Sequence, residues 1–178
     1  MTRYAAFFSS INVGGNRLTM AELRDALDRE GFDDVETVVA SGNILFSHEE
    51  RPSVGLAEKL AYVMSDRFGF DSFAAVRNLA EVETAIVDNP FRETGQDELV
   101  HTMFLQSQPG EDQFGKLVAD YAGRGPEKLA LGDRALYIDY AAGVGTSKLT
   151  SAFVERRLGC RGTARNMRSL QRILDKMD

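Results

Sequence analysis

The sequence predicts an α+β fold of two tandem ferredoxin-like halves, each of βαββαβ type around an antiparallel sheet, the second half ending in an extra C-terminal helix. Three observations carry this expectation. Residues 1–77 alternate strand-like and helix-like patterns in the order β-α-β-β-α-β, and the order β-α-β-β-α returns after a helix breaker at Asn89-Pro90. Where a closing strand would stand in the second half, Thr163 to Met177 instead carries Met167, Leu170, Ile173, Leu174 and Met177 at helical spacing.

In the first half, Tyr4 to Ser9 is a strand with apolar residues on both faces. Thr19 and Glu22 form a capping box that opens a helix with Met20, Leu23 and Leu27 on one face, and Gly31 ends it. Glu36 to Ala40 and Ile44 to Ser47 are strand-like runs flanking Ser41-Gly42-Asn43, the composition of a tight hairpin turn. Leu56, Leu60, Val63 and Met64 mark a helix over Ser53 to Phe68 with Gly69 as its stop, and Ser72 to Arg77 returns to strand. Asn78 then caps a short helix to Val87.

The second half follows the same grammar. Leu99 to Gln106 is a strand and Glu111 to Ala122 a helix. Lys128 to Leu131 and Arg134 to Tyr140 form a hairpin around Gly132-Asp133, and Ser147 to Leu158 is a helix. The expected boundaries are 1–78 for the first half, 79–97 for a connecting helix and linker, and 98–178 for the second half. Both strand faces in each half are mostly apolar, so a second layer must cover the face that the helices leave: the other half, the C-terminal helix or a second protomer, which leaves a homodimer open.

Composition narrows the function classes. A chain of 178 residues with 43% hydrophobic content builds a packed domain or two small ones. The net charge of -6 repels polyphosphate backbones at long range, which argues against nonspecific binding to nucleic acid or to an anionic membrane. No apolar run reaches the roughly 20 residues that span a bilayer, and the N-terminus leads directly into a strand, so a cytoplasmic location is expected. The single cysteine, Cys160, fits a reducing compartment and supplies no multi-cysteine metal site; no metal or cofactor is expected. His48 and His101 lack metal-ligand spacing, and the acidic pairs Asp33-Asp34, Glu49-Glu50 and Asp97-Glu98 fall in turns where carboxylates cap or solubilise.

Three loops stand out. Asn12-Val13-Gly14-Gly15-Asn16 follows a strand and precedes a helix, so its backbone N–H groups can converge on an anion; the commoner use of such residues is simply to turn the chain. Gly143-Val144-Gly145-Thr146-Ser147-Lys148 places Thr146 or Ser147 as a helix cap and Lys148 in the first helical turn, against the helix dipole. Thr163-Ala164-Arg165-Asn166 repeats the pattern, with Thr163 as a cap and Arg165 able to grip a carboxylate or phosphate by two parallel hydrogen bonds. Arg156, Arg157, Arg161, Arg165 and Arg168 make this region locally basic.

The blocks Ile11-Asn12-Val13-Gly14-Gly15, Met20-Ala21-Glu22-Leu23, Ser41-Gly42-Asn43-Ile44-Leu45-Phe46, Ser147-Lys148-Leu149 and Thr163-Ala164-Arg165-Asn166 resemble, in order, those of a bacterial family catalogued as domain of unknown function 1697. The resemblance implies two ferredoxin-like halves and assigns no activity. The chain departs from the family's usual pattern at Ser9-Ser10, where Arg-Gly is usual, and at Met167, where tryptophan is usual.

The functional expectation is a cytoplasmic binding protein in which Asn12, Gly14, Gly15, Ser41, Gly42, Asn43, Lys148, Arg165 and Asn166 border a shared cleft for a small anionic or phosphorylated ligand. Two alternatives stay open. An enzyme acting on a phosphorylated or acyl substrate would use Lys148 or Arg165 to stabilise negative charge but needs a base or nucleophile that the sequence does not reveal. An interaction module would present the basic C-terminal region to an acidic protein or structured nucleic acid.

Overall fold

The computed structural model describes residues 1–9, 18–71 and 73–178, the side chain of Ser41 apart. The Asn12 to Asn16 loop therefore lies outside the described residues. The chain forms two compact units, Met1–Glu83 with Arg172–Asp178, and Thr84–Gln171.

The first unit contains β1 (Thr2–Phe8), α1 (Met20–Asp28), β2 (Asp33–Val38), β3 (Ala40–His48), α2 (Ser53–Phe68) and β4 (Ala74–Asn78). Its sheet has the order β2-β3-β1-β4 with every neighbour antiparallel, which is the ferredoxin-like arrangement. The predicted caps hold: Thr19 Oγ1 accepts from the Glu22 backbone N–H while the Glu22 carboxylate accepts from Thr19 N–H. Gly69, at φ 68°, adopts the left-handed conformation that closes α2. Tyr4, Ala6 and Phe8 of β1 pack with Ile44 and Phe46 of β3 and with Leu23, Leu27, Leu56 and Leu60 of the helices. Ala5, Phe7 and Leu45, on the opposite sheet face, are also buried, as their apolar character requires.

The β2-β3 turn corrects the sequence expectation. The reversal occurs at Val39, between paired Val38 and Ala40, and Ser41-Gly42-Asn43 lies within β3. The register jumps from Thr37↔Ile44 to Val38↔Ala40, so these residues are extra length on the β3 side, while Asn43 still pairs with Phe7 of β1. Turn-like composition here suits a bulge, and pairing with the central strand decides its place.

The helix α3 (Leu79–Val87) follows β4, and the division between the units falls within it. The second unit then contains β5 (Val100–Leu105), α4 (Glu111–Tyr121), β6 (Lys128–Gly132), β7 (Ala135–Asp139), α5 (Ser151–Leu158) and β8 (Gly162–Asn166), and α6 (Met167–Met177) begins in it. Its sheet order, β6-β7-β5-β8, repeats that of the first. Leu117, Tyr121, Leu136, Ile138, Val154 and Leu158 lie in its core.

Two expectations fail in this unit. The closing strand is present: β8 pairs with β5 from Leu105↔Gly162 to His101↔Asn166, so Thr163 and Arg165 are strand residues, not a cap and a first helical turn. Gly-Thr-Ala-Arg-Asn has little strand propensity of its own, and the non-local ladder to β5 overrides it. Gly162 fits because a Cβ there would meet Met103 Cε at 2.8 Å and Leu105 Cδ2 at 2.9 Å. Second, α5 starts at Ser151, with Thr150 Oγ1 accepting from Phe153 N–H at 3.2 Å, so Lys148 precedes the helix. Ser147 instead anchors the preceding turn, its hydroxyl donating to Glu127 Oε1 at 2.8 Å and accepting from Leu149 N–H at 3.0 Å.

The duplication includes the helix after each unit's last strand. Asn78 Oδ1 accepts from Glu81 N–H at 2.9 Å at the start of α3, and Asn166 Oδ1 accepts from Ser169 N–H at 2.8 Å at the start of α6. Each asparagine follows an arginine whose Nη1 folds back onto the carbonyl before it, Arg77 to Val76 at 2.8 Å and Arg165 to Ala164 at 2.9 Å. Replacing Asn166 with Ala is expected to cost about 1 kcal/mol in chemical denaturation by removing the α6 cap, and Asn166→Asp is expected to restore most of it.

Candidate functional site

In the second unit, β7 and β8 both end beside the start of β5, at Asp139↔Val100 and Asn166↔His101. The segment that leaves β7 and enters α5 starts from the same end of the sheet, but the two cations are not brought to one face: Leu149 packs with Met103 and Ala164 on the face covered by α4 and α5, whereas Arg165, next to Ala164 and paired with Thr102, is on the opposite face. The Lys148 segment is pinned at several points. Ser147 Oγ donates to Glu127, accepts from Leu149 N–H at 3.0 Å, and Leu149 is buried. Tyr121 donates its hydroxyl to the other Glu127 oxygen. Burial opposes ionisation of Glu127, yet the hydrogen bonds from Tyr121 and Ser147 hold its carboxyl below the usual carboxylate range. Lys148 itself is exposed, and no carboxylate partner holds its ammonium among the described residues.

Arg165 is half-buried, and its Nη1 donates to Thr163 Oγ1 at 2.6 Å as well as to the Ala164 carbonyl. Burial pushes its guanidinium down to about 10, because the charged form loses hydration. A desolvated, oriented guanidinium attracts an anion more strongly than one in open water. Asn166 contributes its carbonyl oxygen to the α6 cap, so that atom serves the fold.

Ser41, Gly42 and Asn43 belong to the first unit, where Asn43 pairs with Phe7 near the end of β1 from which the 10–17 segment departs. Register thus sets Gly42 and Asn43 beside the exit to the glycine-asparagine loop, whose residues Asn12, Gly14 and Gly15 lie outside the described set. Two shallow cavities of about 290 and 310 Å³ open on this unit, the first lined by Arg24 and Asp28, the second by Tyr4, Arg51 and Glu81. No sequence-predicted site residue lines either.

The arginine-rich region is partly neutralised. Arg157 lies 3.2 Å from Asp120 and stacks 3.6 Å above the Phe153 ring, and Arg168 lies 3.0 Å from Glu98. His101 is half-buried, packs edge-on to Tyr140, and is held below its ordinary pKa by burial. The described residues contain no cluster of three metal-ligating side chains, and no described helix is long and apolar enough to cross a membrane. Sequence reasoning missed Glu127 and Tyr121 as anchors of the Lys148 segment. No local signal could have found them, because Glu127 lies 20 residues from Ser147.

These features define a duplicated ferredoxin-like α+β protein. The chain belongs to the family described as "Protein of unknown function (DUF1697)", whose model matches residues 1–137. The Ser147 and Thr163 blocks lie beyond that match. A solved structure, that of the conserved bacterial protein SP0830 from Streptococcus pneumoniae, is similar over 99% of this chain and 98% of its own, with a TM-score of 0.70 and 24% sequence identity. That likeness concerns the fold. No curated protein matches the chain in sequence.

Proposed function

We propose that this protein binds a small anionic ligand of the phosphorylated-metabolite class, with Lys148 and Arg165 supplying the positive charge. The observation that carries the reading is the contrast at Lys148: its backbone is fixed through Ser147, Glu127 and Leu149, while its ammonium has no carboxylate partner among the described residues. Arg165, desolvated and oriented by Thr163, lies on β8 of the same sheet. A cytoplasmic location belongs to the same reading, supported by the single thiol of Cys160.

The test is a thermal-shift panel of phosphorylated metabolites, nucleotides and carboxylates on wild type, Lys148→Ala and Lys148→Arg. A ligand at 100 times its Kd is expected to add about 2.7 kcal/mol to wild-type stability. The gain should disappear in Lys148→Ala and return in part in Lys148→Arg. A panel that leaves the wild type unshifted, or shifts Lys148→Ala equally, overturns the reading.

A further inference from the structure

The first unit holds a second polar constellation that the anion-binding reading does not use. His48, at the end of β3, is only 2% exposed and packs edge-on to Phe32 with ring centroids 5.0 Å apart. Its Nδ1 lies 2.8 Å from the Glu49 carbonyl oxygen, an acceptor, so Nδ1 carries the proton and donates. Nε2 is therefore the ring's lone-pair nitrogen. It faces Lys59 Nζ of α2 at 3.0 Å. Lys59 Nζ also donates to the Glu30 carbonyl and sits 4.9 Å from the Phe32 ring centroid.

We propose that Lys59 is an acylation site, with His48 as the adjoining base and an acyl phosphate as the class of donor. A lysine amine attacks only when unprotonated, and the adduct must then lose a second proton from nitrogen. The fixed tautomer of His48 supplies the acceptor for that proton. In the step, the neutral Lys59 amine attacks the acyl carbonyl carbon, the Nζ–C bond forms, and the bond from that carbon to the phosphate oxygen breaks. Phosphate leaves with the bonding pair. The excess proton on nitrogen passes to His48 Nε2 and then to water.

The surroundings favour this chemistry in two ways. Burial, and next the nearby Arg51 cation, hold the Lys59 ammonium below the ordinary lysine range, while Glu30 and Glu49 oppose them. Lys59 is half-buried and so keeps a path to solvent. Lys116 and Lys176, outside both proposed sites, serve as internal references. Lys116 lies 3.4 Å from the Asp120 carboxylate.

The experiment incubates the full chain with acetyl phosphate at pH 8 and measures the acetylation rate of each lysine by peptide mass spectrometry. Lys59 is expected to react several times faster than Lys116 and Lys176. That advantage should vanish in urea-unfolded wild type, and in His48→Gln once circular dichroism shows that this variant is folded. A folded wild type in which Lys59 reacts no faster than Lys116 and Lys176 overturns the proposal. So does an advantage that persists in urea, because local sequence would then explain it. Neither result bears on the Lys148 panel, so the two proposals fail separately.

Discussion

Phe46→Ala is expected to lower the unfolding free energy by about 3–5 kcal/mol, the range for removing a buried aromatic ring. Phe46 is fully buried in β3, directly opposite Tyr4 of β1. Its ring stacks on Tyr4 with centroids 5.6 Å apart and meets Phe32 edge-on at 4.9 Å. The substitution therefore removes apolar transfer energy and two aromatic contacts, and leaves a cavity bounded by both sheet and helix side chains. Tyr4 is also tied at its far end, where its hydroxyl donates to the Arg51 carbonyl at 2.9 Å and accepts from Arg51 N–H at 3.1 Å. Relaxation of Tyr4 into the void would break both bonds, so the site cannot collapse freely. Urea denaturation of Phe46→Ala and Phe46→Leu measures the effect, with the leucine variant expected to recover roughly half of the loss. A cost below about 1 kcal/mol for the alanine variant would show that this cluster is not central to the first unit.

Alkaline pH is expected to destabilise the second unit through Tyr137. This residue of β7 is 3% exposed, and a Cβ on Gly132 would meet its ring at 2.5 Å. Burial, with repulsion from Asp88 and Asp133, raises its hydroxyl from 10.0 to about 12. The folded state thus favours the protonated phenol more than the unfolded chain does. The stability this contributes is fully present below pH 10 and is lost as pH rises from about 10 to about 12. A shift of that size corresponds to about 2 to 3 kcal/mol. Tyr137→Phe has no proton to lose, so the measurement is guanidinium denaturation of both proteins at pH 8, 10 and 11.5. The variant should gain on the wild type as pH rises; parallel loss in the two would remove Tyr137 from the alkaline transition.

What was legible in advance follows the range of the interactions. The Thr19-Glu22 capping box, the Gly69 stop and the Asn78 cap close within a few residues, and each is present. The same local reasoning failed where a distant partner intervened. Ser147 has the composition of a helix cap, but its hydroxyl bridges Glu127 and the Leu149 N–H while Thr150 caps α5, which leaves Lys148 outside the helix. Thr163 to Asn166 reads as a helix start because amphipathic residues follow, yet its backbone completes a ladder with β5, and the cap passes to Asn166.

Hydrophobic period and turn chemistry repeat along the chain and need no partner to be read, so the α+β class and the duplication were legible in the residues alone, while the family resemblance rested on five short sequence blocks. Folding was needed to sort the candidate residues into those that serve the fold and those that keep a charge to offer. Asn166 and Ser147 are bound into caps and anchors, whereas Lys148 is held by its backbone and presents its ammonium to solvent. A polar group's availability depends on every donor and acceptor within about 3 Å, and in a sheet protein those neighbours come from strands and loops far away in sequence.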